Sequence, residues 1–280
     1  MQIIHSLEKF RKECATLNRS LGLVPTMGAI HDGHLALIKQ ASIENKSVVV
    51  TIFVNPKQFS ENEDFDDYPR PIHSDIKSLE AENVDLVFTP STEEMYPSNH
   101  STHVSVGEIA KILEGKSRPN HFQGVSTIVT KLISASRPDN TYFGQKDAQQ
   151  CAIVQKLNNE LNLGTNMRIV PTVREKDGLA ISSRNVYLNP KERSASTILF
   201  RSLEKAKKLK SHGMNDLNLL TENIRDYVAS EPLAKIDYIS IVDPNTLEHL
   251  TKIPPTNNQI LVLIAVNIGN IRLIDNMILD

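Results

Sequence analysis

The segment Leu23–His34, reading LVPTMGAIHDGH, gathers residue types that can grip a phosphate. It leaves a short apolar run, passes through a turn with two glycines and two histidines, and enters the apolar-periodic run Leu35–Ala41. Gly28 and Gly33 carry no side chain, so backbone there can come close to a ligand. A helix opening at this point aims its N-terminal N–H groups back at the turn, where negative charge is favoured. His31 and His34 add two ring donors on the same side. Met27, Gly28, Ala29, Ile30, His31, Asp32, Gly33 and His34 therefore read as a triphosphate cradle in which imidazoles stand in place of a lysine. The same two histidines also fit half of a zinc site, which would need further Cys, His or carboxylate ligands. The cysteines, Cys14 and Cys151, stand far away and in no ligand spacing.

Four other segments carry chemistry-bearing residues. Phe53–Phe59 ends an apolar run with two amides, Asn55 and Gln58, which can donate and accept at once to a small polar substrate. Its plainer reading is an Asn-Pro that stops a strand. Tyr142–Gln150 repeats the order of the first motif: strand, Gly144, then Gln145, Lys146 and Asp147 entering a helix that carries Gln150. Lys146 suits phosphate neutralisation and Asp147 a ribose, while a capped helix start accounts for the same residues. Thr172–Asn185 puts Ser182, Ser183 and Arg184 on a loop that could close over a triphosphate, with Arg184 forking onto its oxygens. Leu113–Val125 brings Arg118 and His121 near Gly124, in a supporting role.

These segments need a scaffold that presents them together. The first half alternates strand and helix patterns, with strands expected at 23–26, 47–54, 84–89, 141–143 and 167–171. Helices are expected at 5–18, 35–45, 75–82, 127–134 and 148–161. Near-continuously apolar strands in such an alternation argue a parallel sheet covered by helices on both faces. Ligands of that architecture bind at the carboxyl ends of the strands, where both the 25–34 turn and the 55–58 turn fall. Beyond residue 173 the texture changes to two long polar helices, 190–210 and 216–230, followed by strands at 236–242, 260–266 and 272–278. That order suggests a smaller α+β domain. The basic run Lys205, Lys207, Lys208 and Lys210 reads as a solvated helix face, and the acidic run Glu61–Asp67 as a solvated loop.

With 280 residues the chain suits two domains. Its 31 basic and 33 acidic residues leave a net charge of −2, which gives no footprint for nucleic acid or anionic lipid. The residues from Met1 to Phe10 lack the apolar core of a signal peptide, and the runs 48–54 and 260–268 are too short to span a bilayer. Unpaired cysteines fit a reducing compartment. A cytoplasmic protein without membrane or nucleic-acid partners is expected.

In order along the chain, these blocks resemble the pantothenate synthetase family, the ligases that join pantoate to β-alanine. The resemblance covers Pro25–His34, Phe53–Phe59, Glu63–Arg70, Met95–Pro97, Leu113–Gly115, Arg118–Pro119, His121–Phe122, Gly124–Val125, Phe143–Gln150, Arg174–Leu188 and Arg272–Asn276. Departures are Ile30 where Leu is usual, Gln145 where Glu is common, Ala148 where an aromatic is common, and Ile181 where Met is common. The resemblance implies a Rossmann-like domain of the adenylyltransferase and class I synthetase type at residues 1–173, binding ATP and pantoate, and a smaller α+β lid domain at 174–280. It implies pantoyl adenylate formation from ATP, then aminolysis by β-alanine. His34 becomes the main catalytic donor, with His31, Lys146, Ser182, Ser183 and Arg184 sharing the phosphates. Met27–His34, Gly144, Gln145, Lys146, Asp147, Val173, Ile181, Ser182, Ser183 and Arg184 line ATP, while Asn55, Gln58 and Gln150 take the substrate. Mg²⁺ is expected to bridge the phosphates; its protein ligands are left unassigned, Asp75 being the foremost candidate. A homodimer is the default assembly. The rival readings are another adenylate-forming or nucleotidyl-transfer enzyme, such as a truncated aminoacyl-tRNA synthetase, and a catalytically silent ATP-binding regulator.

Overall fold

A computed structural model describes residues 1–60, 63–254 and 258–280. The chain forms two compact units, one of residues 1–144 and 149–171, the other of residues 145–148 and 172–280.

The first unit is built on a six-stranded sheet of β1 (Gln2–Ile4), β2 (Leu21–Thr26), β3 (Ser47–Ile52), β4 (Leu86–Phe88), β5 (Asn140–Gly144) and β6 (Asn166–Val170). Their order is β1-β4-β3-β2-β5-β6, and every pairing is parallel. β3 is buried along its whole length, as its unbroken apolar run demands of a strand covered on both faces. From β2 the chain builds outward through β3 and β4 in one direction and through β5 and β6 in the other, so the topological switch lies between β2 and β5. Their ladder is short, pairing only Gly22 with Asn140 and Leu23 with Thr141. Pro25, which has no N–H to donate, falls beyond that ladder and so costs the central strand no bond on the β5 side.

Ten helices occur among the described residues: α1 (Leu7–Thr16), α2 (Asp32–Glu44), α3 (Ile72–Glu80), α4 (Thr92–Met95), α5 (Glu114–Ser117), α6 (His121–Ser136), α7 (Ala148–Glu160), α8 (Pro190–Ala195), α9 (Ile198–Ser211) and α10 (Leu217–Ala229). Three expectations change. β1 is a strand although it has three residues, because it adds to the exposed edge of β4. α2 opens at Asp32 and not at Leu35, so Asp32, Gly33 and His34 form its first turn. α6 opens at His121, six residues before the helix expected at Thr127, which takes His121 and Gly124 out of a loop.

The second unit is the antiparallel meander β7 (Ala234–Val242), β8 (Ile260–Ile268) and β9 (Ile271–Leu279). Ile260, Val262, Ile264, Val266 and Ile268 of β8 share an apolar core with Leu199, Leu203 and Ala206 of α9 and Leu220, Ile224 and Val228 of α10. The expected 190–210 helix is two, α8 and α9, parted at buried Ser196 and Thr197. Lys210 departs from the solvated lysine face: it is 7% exposed and donates to the Asp280 carbonyl at 3.1 Å. No helix among the described residues is long and apolar enough to cross a membrane.

Candidate active site

The turn between β2 and α2 is fixed from below. Thr26 Oγ1 donates to the Thr51 carbonyl at 2.7 Å and accepts from the Gly28 N–H at 3.2 Å. Gly28 and Ala29 then adopt φ of 83° and 50°, the left-handed region. Asp75 of α3, 3% exposed, receives this turn: its carboxylate accepts from the Ala29 N–H at 2.9 Å and the Ile30 N–H at 2.8 Å. Burial raises the Asp75 pKa, while the two N–H donors act against that shift. A Cβ at Gly28 would stand 3.0 Å from both Asp75 Oδ2 and Ile52 Cγ2, and one at Gly33 would stand 3.0 Å from the His31 ring. Each glycine thus makes room for a neighbouring side chain, not only for a ligand. His31 is the N-cap of α2, and its ring stacks on that of His34 with centroids 4.0 Å apart and planes 15° apart. The stack fixes both imidazoles at the positive end of a helix.

The second constellation surrounds Gln58. Asn55, with no exposed surface, donates to Gln58 Oε1 at 3.0 Å and to the Gly124 carbonyl at 3.1 Å, and accepts from the Lys57 N–H at 3.2 Å. Its bonding capacity is directed inward, so it orients Gln58 from the 3₁₀ turn Pro56–Gln58 that it caps. α6 packs directly on this turn: a Cβ at Gly124 would lie 2.1 Å from the Lys57 carbonyl oxygen and 2.9 Å from Gln58 N. The Gln58 carbonyl lies 2.8 Å from His121 Nδ1 and accepts from Arg118 at 3.3 Å. A carbonyl can only accept, so Nδ1 carries the proton and Nε2, 3.2 Å from the Arg118 guanidinium, is the acceptor. Burial and then the Arg118 charge push the His121 pKa down to about 4. Arg118 forks onto Glu63 at 2.7 and 2.8 Å. Burial raises the Glu63 pKa, and the guanidinium outweighs it, holding the carboxyl below its usual range. Glu63 therefore leaves the solvated acidic run expected here; Glu61 and Asn62 of that run lie outside the described residues. Gln150 sits half-buried in the first turn of α7.

Gly144 closes β5 in the first unit, and the second unit holds the remaining residues. Gln145–Asp147 form a 3₁₀ turn in which Lys146 Nζ lies 3.3 Å from Asp147 Oδ1. Asn276 of β9 meets this turn, donating to the Gln145 and Lys146 carbonyls, both at 2.9 Å. Val173 and Ile181 are tied by a backbone bond of 3.0 Å from the Ile181 N–H. Ser182 caps the 3₁₀ turn Ser183–Tyr187, its Oγ accepting from the Arg184 N–H at 3.3 Å. The segment before it is pinned by Arg174, which pairs with the buried Asp275 carboxylate at 2.6 and 2.9 Å. Neither Asp75 nor Asn276 follows from local spacing, because their partners lie 46 and 131 residues away. The one signal for Asn276 was its place in the Arg272–Asn276 block.

A family model described as pantoate-beta-alanine ligase matches residues 2–278. The chain belongs to that family. The pantothenate synthetase of Koribacter versatilis is 48% identical over all of this chain and 96% of its own length, and that of Fervidobacterium nodosum is 48% identical over 100% and 99%. The crystal structure of pantothenate synthetase from Thermus thermophilus superposes with a TM-score of 0.93 at 39% identity, covering 99% of each chain. A pantoate-beta-alanine ligase from Francisella tularensis, complexed with beta-gamma ATP and beta-alanine, superposes with a TM-score of 0.79 at 35% identity, over 99% of this chain and 97% of its own. The chain is thus an ATP-dependent pantoate–β-alanine ligase on a Rossmann-like parallel sheet with a small antiparallel second unit. Within the first unit of the ligase, the histidine turn and the Gln58 turn follow the adjacent strands β2 and β3.

Proposed function

We propose that the ligase works through a pantoyl adenylate, with its residues divided by task. A pantoate carboxylate oxygen attacks the α-phosphorus of ATP as the α–β phosphoanhydride bond breaks and pyrophosphate leaves. The β-alanine nitrogen then attacks the acyl carbon, the bond to AMP breaks, and the amine gives up a proton. His34 and His31 donate to the phosphate oxygens on which charge builds, and donors preset in this way lower the barrier. Lys146, Ser182, Ser183 and Arg184 share the triphosphate, and Gly144, Gln145, Asp147, Val173 and Ile181 line the nucleotide with Met27–Gly33. Gln58 and Gln150 read pantoate, Gln58 also faces β-alanine, and Asn55 sets the Gln58 amide. No side-chain nucleophile is needed, because the nucleotide carries the activated acyl group.

The observation that supports this reading most directly is the stacked His31–His34 pair at the N-terminus of α2, one strand away from a Gln58 whose backbone and side chain are both held. The ATP and β-alanine named for the Francisella relative agree with it. Mg²⁺ supplies charge neutralisation on the phosphates when bound. Among the described residues no three His, Cys, Asp or Glu side chains gather to hold a cation. That fits an ion carried mainly by phosphate and water, which asks one or two carboxylates of the protein. Asp75 has a second lone pair on each oxygen but is already engaged by the turn. A cytoplasmic homodimer completes the reading. Pantoate-dependent exchange of labelled pyrophosphate into ATP is the deciding experiment. Exchange that ignores pantoate would point to another nucleotidyl-transfer enzyme, and none at all to a silent ATP-binding protein.

A further inference from the structure

An Asn side chain offers two N–H donors and one carbonyl acceptor. In Asn276, 3% exposed, all three meet one short turn: Nδ2 donates to the carbonyls of Gln145 and Lys146, each at 2.9 Å, and Oδ1 lies 3.1 Å from the donating Gln145 Nε2. The amide cannot rotate without breaking them. Its backbone is as firmly placed. Asn276 pairs with Leu263 in a β8–β9 ladder that runs in unbroken register from Ile260 to Ile268. The Asn276 N–H donates to Asp275 Oδ1 at 2.8 Å, and Asp275 is forked by Arg174, whose guanidinium lies 4.6 Å from the Phe200 ring centre. The three-residue 3₁₀ turn between β5 and α7 has only short i→i+3 bonding, of poorer geometry than an α-helix. Asn276 of β9 therefore adds three hydrogen bonds that brace the turn carrying Lys146.

We propose that Asn276 is a positioning residue for the adenylation step, fixing the backbone from which the Lys146 ammonium reaches phosphate. This rests on the assignment of Lys146 to the triphosphate. A lysine on a flexible stem gains most from a fixed base, because the stem adds freedom of its own. Misplacing a catalytic group by about 1 Å costs on the order of a hundred-fold.

The test is a double-mutant cycle on the full-length protein, read by pantoate-dependent pyrophosphate exchange. Lys146→Ala is expected to slow exchange by about a hundred- to a thousand-fold. Asn276→Ala is expected to slow it by about ten- to a hundred-fold, leaving the KM for β-alanine in the complete reaction unchanged. The double variant should match Lys146→Ala alone, since Asn276 has nothing left to position. Multiplication of the two single effects would make Asn276 an independent structural residue and overturn the proposal. So would wild-type exchange in Asn276→Ala beside a slow Lys146→Ala, which leaves the lysine assignment standing. Near wild-type exchange in Lys146→Ala overturns both. Should Asn276→Ala fail to fold, Asn276→Ser, which keeps one donor, carries the same cycle.

Discussion

In the proposed phosphate site, histidine in place of lysine changes what the anion meets. A lysine is a point charge on a four-carbon stem; an imidazole is a short, flat donor, and here two of them, at the N-cap and in the first turn of α2, are stacked at 4.0 Å. Little reorganisation remains to be done when charge develops, which is the condition for a large electrostatic effect. His34→Ala should slow pyrophosphate exchange by about a hundred- to a thousand-fold while thermal unfolding hardly moves. Exchange near the wild-type rate would remove His34 from the mechanism. His121 belongs to the same scale but acts on stability. Its folded pKa of about 4 lies below the ordinary 6.5, set by burial and then Arg118 against the Gln58 carbonyl bond, Glu63 and Glu114. Between those values the unfolded chain holds a proton that the folded chain refuses. The stabilisation is complete above pH 6.5 and is lost as the pH falls toward 4, by on the order of 3 kcal/mol. His121→Asn should flatten that part of the curve of urea midpoint against pH, and parallel curves for variant and wild type would contradict the account.

Among elements, the contact of α6 with the Pro56–Gln58 turn sets the backbone from which Gln58, in the proposed reading, meets pantoate. An alanine in a helix interior is normally worth about 1 kcal/mol over glycine. At position 124 the methyl would enter the Lys57 carbonyl, so the backbone bearing Gln58 has to shift, with a cost of about 1–3 kcal/mol. Gly124→Ala should weaken pantoate binding several-fold in titrations and leave ATP binding alone; unchanged pantoate affinity would show that the turn accommodates the methyl. In the second unit, residues 174–180 are closed by the Arg174–Ala180 bridge and the Glu175–Leu179 backbone bond. The Ser183–Tyr187 turn follows it. Saturation with ATP and magnesium should slow amide hydrogen exchange at 182–187 and leave 174–180 as it was. Equal exchange at 182–187 with and without nucleotide would mean that the serines and Arg184 do not engage it. The alternation of strand and helix was legible because each buried strand is an apolar run bounded by turn residues. The start of α2 was not, since polar Asp32 precedes the apolar periodicity by which a helix is recognised. That of α6 was masked by Gly124, although Phe122, Val125 and Ile128 already keep helical spacing.

At the scale of the molecule, the proposed site residues stand out in the sequence where a strand and a following turn gather them within about ten positions, as in Pro25–His34 and Phe53–Phe59. Of the residues that hold them, Arg118 and His121 stand in a segment read as supporting, while others give no sign. Asp75 gives no local sign that it cradles Ala29 and Ile30, and Lys210 looks like its solvated neighbours until its ammonium is seen against the Asp280 carbonyl. Long-range polar contacts leave no period in a sequence, so they wait for the structure. The placement of residues 145–148 with the second unit has a consequence for synthesis. As the chain leaves the ribosome, every strand of the parallel sheet has emerged by Val170, yet the carbonyls of Gln145 and Lys146 have no Asn276 to meet until β9 follows, a hundred residues later. A nascent chain can therefore complete its sheet well before its lysine turn is locked. If Asn276 positions Lys146 as proposed, interrupted products that end before β9 are expected to be folded in part and slow in adenylation.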